Sequence, residues 1–309
     1  MTFIIAEVGS NWESYQDCLD SIEMARECGA DAVKFQYFTP QDLYGPNIKS
    51  EFVSGKTPYL KDDWLPELEN KALQCGIEFM CTAFSPDAVS FVDRFVKRHK
   101  IASAELTHLD LLNAVNETKK PVILSTGGAT EEEIRLALKV LSDVDVTLLY
   151  CIPKYPASIE FSELEEEFLK LPFNASSSIG YSCHEIDIKN CVLLAEKYDI
   201  DVIEKHFKIR EMNTDDNSHS SLPDAFAEMV YKVKVVNSGC NEFRHNSMRK
   251  LIAITDISKG DILVPNKNFG CYRAKAYSPS FLNGFSQRDI SGKPSKHAYK
   301  AGDVIYESL

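Results

Sequence analysis

The 309-residue chain has no apolar run approaching the roughly 20 residues that cross a bilayer. Its N-terminus, MTFIIAEVGS, lacks the basic stretch and long apolar segment of a secretory signal. Both absences point away from a membrane or exported protein and toward the cytoplasm. Also missing is any C-x-x-C pair: nine cysteines, an odd number, are scattered along the chain. That pattern disfavours a disulfide framework or a zinc ribbon and suits a reducing compartment. Positive charge is short as well. Thirty-four Lys and Arg against 46 Asp and Glu leave a net charge of −12, which disfavours nonspecific binding to nucleic acid. With 44% hydrophobic and 26% charged residues, the composition is that of a globular chain long enough for one large domain or two smaller ones.

The charge is unevenly spread. Residues 247–309 carry ten basic and five acidic side chains, a net of +5, so the rest carries −17. Two units are expected: residues 1–237, a linker at 238–246 read from the polar stretch NSGCNEFRHNS, and a small β-rich piece at 247–309 with Gly-Asp turns before short apolar runs. A piece of that size is marginal alone and is expected to lean on the barrel or on another chain.

Over the first 235 residues, eight short apolar or β-branched runs (FIIAEVG, AVKFQYF, EFMCTAF, KIASAEL, PVILSTG, VTLLYCI, SSIGYSC, VIEKHF) alternate with amphipathic stretches of helical period. Eight such repeats predict an α/β fold, a (β/α)8 TIM barrel. An open doubly wound sheet is the alternative, but no G-x-G-x-x-G follows the first run.

In a barrel the chemistry collects at the C-terminal ends of the strands. Polar residues stand there on nearly every run: Glu7; Lys34 and Gln36; Thr82; Lys100, Ser103 and Glu105; Ser125 and Thr126; Ser182 and His184; Glu204 and His206. Residues two apart on a strand share a face, so each pair is expected to point the same way, Ser103 with Glu105 included. So many polar groups are costly in a packed core and fit a solvated mouth better.

His184 and His206 end adjacent strands and could reach one cation, with oxygen ligands completing a shell that suits Mn²⁺. Two separate hydrogen-bonded barrel histidines are the alternative. His99, His108, His219, His245 and His297 read as surface or loop residues. Lys34 and Lys100 need counter-charges, either a bound phosphate or carboxylate or salt bridges to Glu7 or Glu105. After Ser125, a Gly-Gly turn leads to Thr130 and Glu133, which fit a helix capping box and would aim backbone N–H groups at an anion.

The ordered segments IIAEVGSNW, GADAVKFQYF, KIASAELTHLDLL, KPVILSTGGATEEEI, LLYCIPKYPA, IGYSCHE and IEKHF resemble the N-acetylneuraminate (sialic acid) synthase family, with its legionaminic and pseudaminic acid relatives. The tail resembles the small antifreeze-like (SAF) domain that follows the barrel in that family. The resemblance implies a transferase that condenses phosphoenolpyruvate with the aldehyde of an N-acylated hexosamine and releases phosphate by C–O cleavage. It implies His184 and His206 as ligands of a divalent ion, Mn²⁺ first and Mg²⁺ or Co²⁺ as alternatives. It also implies Lys34, Lys100, Ser103 and Ser125 around phosphoenolpyruvate, and Glu7, Gln36, Glu105 and Glu204 around the acceptor and the reaction centre, one of the carboxylates managing the water's proton. A domain-swapped homodimer would bring Arg273 of the tail over the partner's barrel.

Another phosphoenolpyruvate-dependent aldol synthase, of the deoxy-octulosonate or deoxy-heptulosonate phosphate type, and a non-catalytic sugar-binding barrel are the competing functions. The chain departs from the family pattern at Trp12, at Cys183 and around Arg273, where the Pro and Gly of an Arg-Pro-Gly motif are missing. In EMNTDDNSHSSLPD the family's Asp falls at Asp215, Asp216 or Asn217, of which Asp216 is taken as the substrate-binding residue.

Overall fold

The structure, a computed structural model, describes residues 2–45, 58–172, 178–237, 249–273, 290–303 and 305. Eight strands, β1 (Phe3–Glu7), β2 (Ala32–Tyr37), β3 (Glu78–Ala83), β4 (His99–Ile101), β5 (Val122–Ser125), β6 (Val146–Cys151), β7 (Ser178–Cys183) and β8 (Val202–His206), pair in parallel and in sequence order. β8 pairs back onto β1, from Phe3 opposite Val202 to Glu7 opposite His206, and closes the barrel. Helices α1 (Tyr15–Glu27), α2 (Pro40–Tyr44), α3 (Leu65–Cys75), α4 (Pro86–Val92), α5 (Leu109–Glu117), α6 (Glu131–Val140), α7 (Phe161–Phe168), α8 (Lys189–Lys197) and α9 (Pro223–Asn237) follow the strands. This is the expected (β/α)8 architecture.

The period of two explains both cores. Outward-facing Ile4, Val33, Phe79, Leu124, Leu148 and Ile203 pack with the helices in the large outer core. Inward-facing Ile5, Ala32, Met80, Ile123, Leu149 and Val202 form a separate apolar cluster that plugs the barrel. On β7 the inward position is Gly180, where a Cβ would lie 2.1 Å from the Val202 carbonyl oxygen and 2.7 Å from Leu149 Cδ2. Leu149 therefore fills the space that a larger residue on β7 would need. The capping box at Thr130 and Glu133 forms as expected and starts α6.

β4 is shorter than expected. The extended chain ends at Ala102, and Ser103–Glu105 close a 3-10 turn in which the Glu105 N–H donates to the Ala102 carbonyl (3.0 Å). Residues two apart do not share a face in a turn of period three. Ser103 and Glu105 consequently diverge, contrary to expectation.

Beyond the barrel, β9 (Arg249–Ala253) and β10 (Phe269–Arg273) pair antiparallel. Leu251, Ile257, Leu263, Phe269, Ile290 and Tyr299 belong to a cluster separate from the barrel cores. His297 Nε2 lies 3.3 Å from Glu27 Oε1 at the end of α1. The expected linker 238–246, with His245, lies outside the described residues; Arg273 closes β10, and its side chain also lies outside them.

Candidate active site

Two residues beyond each member of the apolar plug, the same inward face changes character. Ile5 is followed by Glu7, Ala32 by Lys34, Met80 by Thr82, Ile123 by Ser125, Leu149 by Cys151 and Val202 by Glu204. All six second members line one cavity of about 60 Å³ at the C-terminal strand ends. Lys100 of β4 and Ser182 of β7 complete the ring, and one step higher come Gln36, Phe84, His184 and His206. The barrel is thus layered along its axis as an apolar plug, a polar ring and a mouth. A larger groove of about 540 Å³ runs outside the barrel between α8 and α9 and holds none of these groups.

The polar ring is an ion-pair network. Lys34 Nζ lies 2.7 Å from Glu7 Oε2 and 3.6 Å from Glu204 Oε2, and it donates to Thr82 Oγ1 at 3.2 Å. Lys100 Nζ lies 3.6 Å from Glu204 Oε1, which also accepts from Ser182 Oγ at 3.0 Å, and Gln36 Nε2 donates to Glu7 Oε1 at 2.8 Å. All four charged side chains are buried. The salt bridges expected as one alternative for the lysines therefore exist, with Glu204 in place of Glu105 as the second carboxylate.

The two carboxylates differ. Burial raises the Glu7 pKa, and repulsion from Glu204 adds to it; Lys34 opposes both without winning, and the group is pushed up to about 7. Burial acts the same way on Glu204, but Lys100 and Lys34 together outweigh it and hold the group down, to about 2. One carboxyl poised near neutrality beside one that stays ionised is an arrangement suited to moving a proton next to a fixed negative charge. Burial lowers the pKa of Lys100, whereas Glu204 and Glu7 hold that of Lys34 up against burial.

The mouth is rich in imidazole. His184 Nδ1 lies 2.6 Å from the Ile152 carbonyl, so its N–H donates there and Nε2 carries the lone pair. Burial holds the His184 pKa down to about 4 and the His206 pKa well below its ordinary value, so both rings are neutral and able to act as ligands. Their centroids are 5.6 Å apart. A third ring joins them: His219 is buried with its centroid 4.4 Å from that of His206. The Tyr155 ring covers the group, 4.1 Å from His184 and 4.9 Å from His219.

Nine of the expected site residues, Glu7, Lys34, Gln36, Lys100, Ser103, Ser125, His184, Glu204 and His206, line this one cavity. Ser125 Oγ is buried with no hydrogen-bond partner among the described residues. Asp216 lies beside His206 and His219. Its Oδ2 accepts from the Ser10 N–H (2.7 Å) and Ser10 Oγ (2.8 Å). Gly9, at φ +56°, makes room for that carboxylate, since a Cβ there would come within 2.3 Å of Oδ2. Of the two alternatives to Asp216, Asp215 is exposed, and Asn217 Oδ1 accepts from the Met212 N–H at 3.0 Å.

Glu105 is not part of the cavity. Turned away by the 3-10 turn, its Oε2 faces His108 Nδ1 at 3.4 Å. The reading of His99 as a surface or loop group fails, whereas His219 is on a loop as expected but buried there. His99 is buried on β4 with Nε2 3.0 Å from Asp93 Oδ1, and the His219 ring packs behind His206 and Tyr155 of the mouth. Tyr155 and His219 carried no usable signal in the sequence, because both sit on loops without apolar periodicity. The Trp12 departure has a structural role: its Nε1–H donates to the Gly9 carbonyl at 3.2 Å, and its ring packs against Trp64.

The sequence profile of the NeuB family matches residues 21–243. A pseudaminic acid synthase of Campylobacter jejuni is 30% identical, the match covering 99% of this chain and 96% of that protein. An N,N'-diacetyllegionaminic acid synthase of the same species is 31% identical across 99% of both. Among solved structures, the N-acetylneuraminic acid (sialic acid) synthetase of Leptospira borgpetersenii, in complex with citrate, superposes with a TM-score of 0.69 at 25% identity, covering 77% of this chain and 84% of that one. The profile spans all of the barrel except β1 and part of α1, and the chain belongs to the NeuB family.

Proposed function

We infer that the chain is a phosphoenolpyruvate-dependent nonulosonic acid synthase, joining phosphoenolpyruvate to an N-acylated hexosamine aldehyde with release of phosphate. The carrying observation is the buried ring of two ammonium and two carboxylate groups directly below neutral imidazoles at the barrel mouth. In the reaction, C3 of phosphoenolpyruvate bonds to the aldehyde carbon, water adds at C2, and the C–O bond to phosphate breaks.

Lys34, Lys100, Ser103 and Ser125 offer charge and donors to the phosphate and carboxylate of phosphoenolpyruvate. Glu7, with its raised pKa and its place beside Gln36, is the group to take the water's proton, while Glu204 stays ionised and fixes both lysines. Synthases of this family depend on a metal in general. The donor set here fits one, because His184 Nε2 is left to coordinate and His206 Nδ1 is buried without a hydrogen-bond partner among the described residues. His184 and His206 would hold a divalent cation, Mn²⁺ in the first place, which would supply Lewis-acid chemistry at the aldehyde.

Residues 247–309, after the barrel of 1–237, are read as an SAF-like domain, a reading supported by their separate hydrophobic cluster. In a domain-swapped homodimer Arg273 would come from the partner subunit; a solution mass tests this. A cytoplasmic location is supported by the free thiols of Cys18, Cys28, Cys81, Cys151, Cys183 and Cys191. No helix among the described residues is long and apolar enough to cross a membrane.

The test is phosphate release from phosphoenolpyruvate across a panel comprising N-acetylmannosamine, its 6-phosphate and diacetamido-6-deoxy hexoses. Release that needs both an acceptor and a divalent ion is expected. Its absence with every acceptor and Mn²⁺, Mg²⁺ or Co²⁺ overturns the assignment.

A further inference from the structure

His219 stands on a 3-10 turn, Asn217–His219, in the loop after β8. It is 1% exposed, and neither of its ring nitrogens has a hydrogen-bond partner among the described residues. Asp216 Oδ1 lies 3.4 Å from its Nε2, at the long edge of hydrogen-bond distance. His206 Nδ1, equally buried, is also without a partner. Leaving a buried polar atom unsatisfied costs on the order of 1–3 kcal/mol, so two neighbouring imidazoles, each with at least one unpaired buried nitrogen, call for a ligand. One ligand atom from each of His206, Asp216 and His219 lies within 4.8 Å of the others, close enough for a small adjustment to bring all three onto one ion.

The turn is held in place before any ion arrives. Ser10 fixes Asp216 Oδ2 from the loop after β1, and the Asp216 N–H donates to Ser10 Oγ at 3.1 Å. Ser220 Oγ donates to the Asp216 carbonyl (2.7 Å) and accepts from Asn11 Nδ2 (2.7 Å), and Thr214 Oγ1 donates to Asn11 Oδ1 (2.9 Å). Lys208 Nζ donates to the Asn217 carbonyl at 2.8 Å. The ligands are thus carried on a rigid support, as a metal shell requires.

We propose that Asp216 and His219 are direct ligands of the cation, giving this chain a centre of up to three imidazoles and one carboxylate in place of a two-histidine site filled by water and substrate oxygens. Two histidines and a carboxylate around one ion form a nitrogen-rich set that prefers Co²⁺, Fe²⁺ or Zn²⁺ over Mg²⁺. The inference rests on the reading of His206 as a cation ligand and moves Asp216 from the substrate to the metal.

The test is Co²⁺ binding to the full chain, read by titration calorimetry and by the visible d–d spectrum, with no substrate present. His219→Ala is expected to weaken Co²⁺ binding at least 10-fold and to shift the spectrum, with Asp216→Asn acting in the same direction. His108→Ala, which alters a histidine outside the mouth, is expected to change neither. Mg²⁺ is expected to bind far more weakly than Co²⁺ in the unaltered protein.

Two results separate the possible failures. If His206→Ala abolishes Co²⁺ binding while His219→Ala leaves Kd and spectrum unchanged, the enlarged shell is wrong and the underlying cation site stands. If His206→Ala also changes nothing, the cation site itself is wrong. Should His219→Ala fail to fold, the unaltered Co²⁺ protein decides by its paramagnetically shifted imidazole N–H resonances. Signals assigned to His219 support the proposal, and their absence beside those of His184 and His206 overturns it.

Discussion

Glu7 and Lys34 are opposite each other in the β1–β2 register, and their side chains meet at 2.7 Å inside the barrel. Each is two residues beyond an apolar plug residue, so pleat and register alone bring the two charges together at the floor of the mouth. Lys34 also faces Glu204 at 3.6 Å, so a single ammonium serves two carboxylates.

Removing that ammonium exposes the dependence. Lys34→Met leaves Glu7 and Glu204 buried without it, and a broken buried pair costs about 3–5 kcal/mol. Urea unfolding at pH 8 should show a loss of that order. The loss should be smaller at pH 5, where Glu7 takes up a proton. A loss independent of pH would show that Glu7 does not carry the released charge.

Glu7 itself gives stability a pH dependence of known sign. Its folded pKa of about 7 lies above the ordinary 4.5, so the folded state holds the proton more tightly than the unfolded chain. The resulting stabilisation is fully present below pH 4.5 and is lost as pH rises through about 7. In Glu7→Gln this decline should be missing from unfolding curves measured between pH 5 and 8. Synthase activity that needs ionised Glu7 should rise through the same interval, and an activity plateau already reached at pH 5 would remove Glu7 as the proton acceptor.

Lys205 ties together the loops behind the mouth. It is fully buried on the outward face of β8, between Glu204 and His206, and its Nζ donates to the carbonyls of Glu185 and His219, tying the two histidine loops together from behind. Lys205→Met should weaken divalent-ion binding about 10–100-fold, the range seen when supports of metal ligands are lost. Reduced stability with unchanged metal affinity would make Lys205 a purely structural residue.

Gly180→Ala tests the plug. Its Cβ would press on the Val202 carbonyl and Leu149 Cδ2, and overpacking of this kind costs about 1–3 kcal/mol. Trimming the neighbour in Gly180→Ala/Leu149→Ala should recover less than the whole loss, because the backbone contact with Val202 remains. Full recovery would assign the clash to Leu149 alone.

Much of this was open to a reader of the sequence, for a definite reason. Strand side chains alternate strictly, so a polar residue two places beyond an apolar one must lie above it on the same face. Glu7, Lys34, Gln36, Ser125, Glu204 and His206 could therefore be assigned to the barrel mouth before any coordinates. Where the chain leaves the strand, that rule ends. Glu105, at the same nominal spacing from Ser103, is rotated out by a 3-10 turn. The loop of His219, with no period at all, is held against the mouth by Asn11 and Ser10 on one side and Lys205 on the other, and Tyr155 packs on the rings gathered there.

Local alternation and the order of its segments settled the barrel, its axis of chemistry and the charges at its floor. The choice of Glu204 over Glu105 as partner of the lysines, the raised proton affinity of Glu7 and the third imidazole of the mouth were decided by tertiary structure. Each depends on distances between strands and loops that are remote in sequence, and on a burial that no single segment can produce by itself.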